Sequence, residues 1–150
     1  MRTILTLALL LSFVTPVAAQ PRPEDPEARA IRQTALDYIE GWYEGNVERM
    51  TRALHPELVK RIVVTSHGAT RLDDMGASKL ISFVRTGGGK DTPKERQLKE
   101  VTILDRYENA AVAKIIASDW IDYLQLGKVD GRWVIINVLW EHKPEPPKKK

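Results

Sequence analysis

The chain of 150 residues contains no cysteine, which excludes a disulfide framework, thiolate metal ligation and a lipid-modified cysteine. Histidine is nearly as scarce. His55, His67 and His142 are far apart, none sits in an HExxH pattern, and no close carboxylate triad accompanies them, so no metal site is expected. A surplus of one charge is missing too. The formal +3 arises from 23 basic and 20 acidic residues, but Arg2, Lys143, Lys148, Lys149 and Lys150 lie at the two ends. Setting aside those five and Glu145 leaves 18 basic residues against 19 acidic. No basic face with interleaved aromatics appears, which argues against nucleic acid as a partner. A phosphate loop is also lacking. Gly87-Gly88-Gly89-Lys90 has Val84 where the Walker pattern needs glycine and Asp91 where it needs serine or threonine, and it follows a helical pattern where a strand is required. No cofactor is expected.

What the chain does contain begins with an export signal. Arg2 is the charged start, Ile4 to Val14 the apolar stretch, and Val17-Ala18-Ala19 a small-residue cleavage site before Gln20. These eleven apolar-dominated residues, followed closely by Pro16, fall short of the ~20 needed to span a bilayer. Residues 1–19 are therefore expected to be removed, with no stable membrane anchoring afterwards and a periplasmic or secreted location. The remaining 131 residues suffice for one domain of ordinary size. Residues 20–26 read as an extended leader, 27–143 as the domain, and 144–150 as a solvated Pro/Lys tail.

Within the domain, Ile31, Ala35, Tyr38, Ile39 and Trp42 keep the three-and-four spacing of one helical face over Glu27 to Glu44. Gly45 ends that helix, and Asn46 is placed to cap a shorter one containing Val47, Met50, Ala53 and Leu54. Leu58 to Thr65 reads as a strand, and Ser66-His67-Gly68 as a turn. Asp73 is expected to cap a third helix with Met75, Leu80, Ile81, Phe83 and Val84 inward, stopped by Gly87-Gly88-Gly89. Thr86 to Gln97 follows as a loop. Val101 to Tyr107 and Ala110 to Ser118 form a hairpin about Glu108-Asn109, and alanines at 110, 111, 113 and 117 keep one of its strands thin enough for a helix to approach.

The most informative stretch is Asp119 to His142, where Asp130-Gly131 separates two runs rich in β-branched and aromatic residues. Asp-Gly suits a two-residue type I′ turn, so Val129 should face Arg132. Counting outward pairs Leu126 with Ile135, Leu124 with Asn137, Tyr123 with Val138, Asp122 with Leu139 and Ile121 with Trp140, and places His142 opposite Asp119. One face then holds Trp120, Asp122, Leu124, Leu126, Trp133, Ile135, Asn137 and Leu139. The other holds Ile121, Tyr123, Gln125, Val134, Ile136, Val138 and Trp140. Neither face suits water, and a lone hairpin cannot bury both. The rest of the chain must cover it. Helices gathered before strands imply an α+β fold, three N-terminal helices packed on a strongly curved, mainly antiparallel sheet.

A carboxylate at Asp122 in apolar surroundings, with Asn137 as a diagonal neighbour, could act as a general acid or base, or could simply be satisfied by Asn137 and nearby amides. Tyr38, Trp42 and Tyr43 form a ring cluster that could stack a flat heterocycle or pack the core. The expected site is a cavity lined by Tyr38, Trp42, Tyr43, Leu124, Trp133 and Asn137, with Asp122 as its polar anchor and a small molecule as its partner. The face of Ile121, Tyr123, Ile136, Val138 and Trp140, if no helix covers it, predicts a homodimer.

The elements Asp122-Tyr123-Leu124, Val129-Asp130-Gly131-Arg132-Trp133 and Asn137-Val138-Leu139-Trp140, with Ala53 to Arg61 (ALHPELVKR) after the first helix pair, resemble the nuclear transport factor 2-like superfamily (SnoaL-like, cystatin-like cones) in its putative lumazine-binding branch. The resemblance covers roughly residues 28–143. It implies an α+β cone, commonly dimeric through its sheet, with a ligand cavity at the open end. The superfamily includes ketosteroid isomerases, scytalone dehydratase and polyketide-cyclase-like enzymes, in which a tyrosine works with acidic residues, as well as many noncatalytic members. Tyr38 or Tyr43 with Asp122 could correspond to that arrangement, but no complete catalytic set aligns. Two functions stay open: a small-molecule-binding cone, or an isomerase, dehydratase or hydrolase using Asp122. A dimeric interaction module without a ligand is a third.

Overall fold

The computed structural model describes residues 24–144; the expected export signal, most of the expected leader and the expected tail from 145 onward lie outside the described residues. Helix α1 runs Pro26–Glu44 and α2 runs Val47–Ala53. The Asp25 side chain accepts from the Glu27 amide, Pro26 occupies the first turn, and Gly45 closes α1 in the left-handed region at φ 63°. Asn46 caps α2 by accepting from the Arg49 amide at 3.0 Å. Helix α1 thus begins one residue before the expected Glu27.

The next elements are β1 (Leu54–Ser66), β2 (Ala69–Gly76) and α3 (Ala77–Arg85). Strand β2 corrects the expected helix start. Asp73 pairs with Ile62 of β1 in the ladder, and its side chain meets Arg71 at 2.9 Å. The α3 N-cap is Gly76, which has no side-chain cap. Leu80 and Val84 are buried as expected, whereas Phe83 stays exposed. The physical reason is position in the sheet: β2 is an edge strand and almost fully exposed, so it shows no apolar alternation. Its signal lies in the turn, where His67 and Gly68 take φ 51° and 79° as a two-residue hairpin requires.

Residues 86–98 are turns with one short 3-10 segment, Lys94–Arg96. Strands β3 (Lys99–Tyr107), β4 (Ala110–Ala117), β5 (Trp120–Val129) and β6 (Arg132–His142) complete an α+β fold. All six strands form one sheet in the order β2-β1-β6-β5-β4-β3, antiparallel except where β1 runs parallel to β6. The inner face of β4 carries Ala111, Ala113, Ile115 and Ala117, all at most 5% exposed, so α1 can press Ile31, Ala35, Tyr38 and Ile39 close against the sheet. Burying each large apolar side chain contributes about 1.5–3 kcal/mol.

The Asp130-Gly131 turn forms as expected, with φ 48° and 77°, and Val129 pairs with Arg132 and Leu126 with Ile135. Beyond that point the register differs from simple counting. Gln125 pairs with Asn137, Leu124 with Val138, Tyr123 with Leu139, Asp122 with Trp140, Ile121 with Glu141 and Trp120 with His142. Ile136 is the additional residue of a β-bulge on β6. One extra residue exchanges the two faces for the remainder of the strand. Val138 and Trp140 therefore join Asp122 and Leu124 on the helix side, while Asn137 and Leu139 turn outward. The expected outer face of Ile121, Tyr123, Ile136, Val138 and Trp140 is corrected accordingly.

Candidate functional site

Where α1, α3 and the ends of β1, β5 and β6 meet, the sheet and helices leave a cavity of ≈ 300 Å³, at the lower end of the range for small-molecule pockets. Its walls are mostly aromatic: Trp42 from α1, Trp120 from β5, Trp140 from β6 and Phe83 from α3, with Met75 and Leu80 beside them. The Trp42 and Trp120 rings meet edge to face at 6.1 Å, a preferred aromatic geometry. Asp119 and His142 also line it, and both are exposed. His142 stacks edgewise on Trp140 at 4.7 Å and pairs with Trp120 in the ladder, not with Asp119.

The glycine run that resembled a phosphate loop serves this wall. A Cβ on Gly89 would fall 2.4 Å from Trp42 Cδ1 and from the Trp42 carbonyl oxygen, and one on Gly88 would fall 2.8 Å from Trp42 Cη2. These two glycines let the loop lie directly on the indole.

The polar part of the site is a buried cluster of Tyr38, Lys60 and Asp122, 4%, 6% and 0% exposed. Tyr38 comes from α1, Lys60 from β1 and Asp122 from β5. Lys60 reaches it because it follows Leu58 on the inward-facing set of β1 and lies beside Val138 in the parallel register. Its ammonium donates to the Asp122 carboxylate and, at 2.8 Å, to the Tyr38 hydroxyl oxygen. The Tyr38 hydroxyl donates a long bond, 3.5 Å, to Asp122 Oδ1, and Trp120 Nε1 donates to Asp122 Oδ2 at 2.6 Å. The ammonium also sits 4.7 Å from the centroid of Trp140 and 5.5 Å from that of Tyr38, within cation–π range. No buried side-chain polar atom among the described residues lacks a partner.

Burial lowers the Lys60 ammonium below the usual lysine range, opposed by the attraction and hydrogen bond of Asp122. Burial and the adjacent Asp122 carboxylate push the Tyr38 phenol well above its ordinary value, so it stays a neutral donor. The cluster therefore couples a buried amine that borders the aromatic cavity with a fully buried acid behind it.

The sequence expectations divide clearly. Tyr38 and Trp42 line the cavity, while Asp122 is fully buried behind the lining residues Tyr38, Lys60 and Trp120, which it holds by hydrogen bonds. Tyr43 stands behind the wall: its ring lies 6.0 Å from Trp120, and its hydroxyl accepts from the Ser118 amide and donates to the Leu98 carbonyl, each at 3.0 Å. Leu124 is core, fully buried away from the cavity lining. Trp133 is buried near the start of α1, where its indole donates to Glu27 at 2.7 Å. Asn137 is on the outer face, donating to Gln125 at 3.1 Å, so its expected neighbourhood with Asp122 is corrected by the bulge. Lys60, Trp120 and Trp140 were not expected as a group with Asp122. A lysine among the inward positions Leu58, Lys60, Ile62 and Val64 is the sequence sign that points to the first of them.

Among the described residues no cluster of three or more histidine, cysteine or carboxylate side chains could hold a metal. No described helix is long and apolar enough to cross a membrane.

Comparison with known proteins agrees with this architecture. The chain is similar in structure to an NTF2-like protein of unknown function from Shewanella baltica, with TM-score 0.62 and 20% identity over 79% of this chain and 95% of the other. It is likewise similar to an NTF2-like protein of unknown function from Methylobacillus flagellatus, with TM-score 0.59, 18% identity and coverages of 79% and 93%. A third is an NTF2-like protein with a cystatin-like fold from Novosphingobium aromaticivorans, with TM-score 0.57, 10% identity and coverages of 84% and 95%. No curated protein matches the chain significantly. Residues 26–141 match the family described as putative lumazine-binding. The chain belongs to that family, and its fold is that of the NTF2-like structures.

Proposed function

We propose that this protein is an exported binder of one flat, predominantly apolar small molecule. The observation that carries the reading is the cavity itself: a largely aromatic wall with a single polar cluster, the makeup of a ligand site. The family description supports a small molecule as partner. Export rests on the N-terminal charged, apolar and small-residue segments. Binding is favoured over catalysis by Asp122 on a bound molecule, because Asp122 is fully buried and does not line the cavity. A general base needs a free lone pair directed at the substrate.

Three of the four tryptophans line the cavity, so intrinsic fluorescence is a direct reporter. Titration with flavin and pterin compounds is expected to quench emission saturably and to raise the melting temperature, as any ligand of the native state must. Absence of both responses across all flat heterocycles tried would overturn the reading.

The association proposed here is a homodimer through the outer face of the sheet. Leu72, Val63, Leu139 and Tyr123 form an exposed stripe across β2, β1, β6 and β5, at 61%, 52%, 51% and 44% exposure. Ile121 adds to it, and Ile136 lies beside Gly127 on the same side. A second copy supplies the self-complementary cover such a stripe needs.

A further inference from the structure

We infer that Lys60 is an attachment point for a carbonyl ligand: its side-chain amine, at the floor of the aromatic cavity between Asp122 and Tyr38, forms an imine with an aldehyde or ketone carried by a flat apolar molecule. The inference rests on reading the cavity as a ligand pocket. It starts from the fact that Lys60 alone among the lysines of the described residues is buried, yet it still borders the cavity. Two of its three ammonium hydrogens are engaged by Asp122 and Tyr38, which leaves one for a guest.

The charges of the cluster select the guest. An anionic head group would meet the Asp122 carboxylate and a cationic one the Lys60 ammonium. A neutral carbonyl oxygen meets neither objection and can accept from Lys60. The same contacts supply what imine formation needs. Asp122 touches the ammonium and takes one of its protons, a step that burial favours because it removes two charges from an apolar site. The freed lone pair bonds to the carbonyl carbon, and the displaced π pair moves to oxygen, which takes a proton from the cavity-lining Tyr38 hydroxyl as Asp122 passes its own proton to Tyr38. The nitrogen then returns a proton to Asp122, and its lone pair forms the C=N bond as the hydroxyl leaves as water with that proton, passed on through Tyr38. The sum is ammonium plus carbonyl giving iminium plus water, with Asp122 a carboxylate before and after and no oxidant required. The iminium replaces the ammonium as partner of Asp122 and lies over the same Trp140 face, so the buried charge balance is unchanged. The lowered proton affinity of Lys60 acts in the same direction.

The test uses the full chain at neutral pH with naphthaldehyde, a flat aromatic aldehyde, and cyanoborohydride to reduce the imine, followed by peptide mass mapping and parallel tryptophan fluorescence. Lys60 is expected to gain the naphthylmethyl group at least about tenfold faster than the exposed lysines Lys79 and Lys90, as expected for a desolvated amine with an adjacent proton acceptor. Naphthalene, which has no carbonyl, is expected to slow labelling of Lys60 and leave Lys79 unaffected. Quenching by naphthaldehyde with Lys60 labelled no faster than Lys79 overturns the imine and leaves the pocket standing. Neither quenching nor labelling at Lys60 overturns both.

Discussion

At the scale of single residues, the strongest ionic organisation outside the cavity surrounds Asp37. Its carboxylate is 5% exposed and accepts from Arg52 at 2.8 Å and from Arg49 at 3.1 Å, with Gln33 donating at 3.2 Å. Burial pushes its proton affinity up, but the Arg52 and Arg49 bonds outweigh burial and hold it below the usual carboxylate range. A lowered folded-state value means that the unfolded chain binds the proton more readily. The stability that Asp37 contributes is therefore complete above the unfolded value, ~3.9, and is lost as pH falls through the folded value. Asp37→Asn is expected to reduce the unfolding free energy by about 1–3 kcal/mol at pH 7, since it withdraws a charged acceptor from two arginines. In urea titrations at pH 7 and at pH 3 the difference should shrink at the lower pH. An equal loss at both would show that the carboxylate charge is irrelevant.

At the scale of elements, the bulge at Ile136 decides which side chains meet Asp122. It makes a prediction that simple alternation reverses. Val138, 2% exposed, faces the helices, so Val138→Asn should cost about 2–4 kcal/mol through lost packing and a polar group in the core. Asn137→Val should change stability by less than about 0.5 kcal/mol, as for an ordinary outward position. Chemical denaturation of the two variants distinguishes the registers, and the opposite ranking would restore the unbulged one. Much else about the elements was legible. Asn46 marks a helix start, Gly45 an end, and Ser66-His67-Gly68, Glu108-Asn109 and Asp130-Gly131 mark hairpin turns. The bulge left no mark, because Ile135-Ile136-Asn137 reads the same whichever residue is unpaired. Strand β2 was hidden because an edge strand with both faces exposed needs no apolar period. Lys60 was overlooked because its neighbours spell an ordinary strand, and only its partner on β5 explains a cation at an inward position. In the sequence the glycines after α3 mark only a helix stop, whereas the demand on Gly88 and Gly89 comes from a tryptophan more than 40 positions earlier in the chain.

At the scale of the whole molecule, the two faces of the sheet have different occupants. The inner face is filled by α1 and the core, while the outer one presents Tyr123, Leu139, Val63 and Leu72 to solvent in the isolated chain. Sedimentation velocity at micromolar concentration is expected to give a dimer, and Leu139→Lys, which places a charge in the stripe, a folded monomer whose melting temperature no longer depends on protein concentration. A monomeric parent protein would remove the dimer from the proposal. Ligand binding should survive Leu139→Lys, because the cavity is formed by residues of one chain.

The lone parallel pairing has a further implication for how the chain comes together. Strand β6 stands between β1 and β5, so the ribbon made before Ala77 and the ribbon made after Leu98 share no ladder until the final strand is laid between them. Lys60 belongs to the first ribbon and Asp122 to the second. A growing polypeptide must therefore keep an amine and an acid apart, each awaiting its counterpart, until β6 has been made. Such distant closure is the slow kind, and the chemistry of the hollow is consequently among the last things the fold acquires.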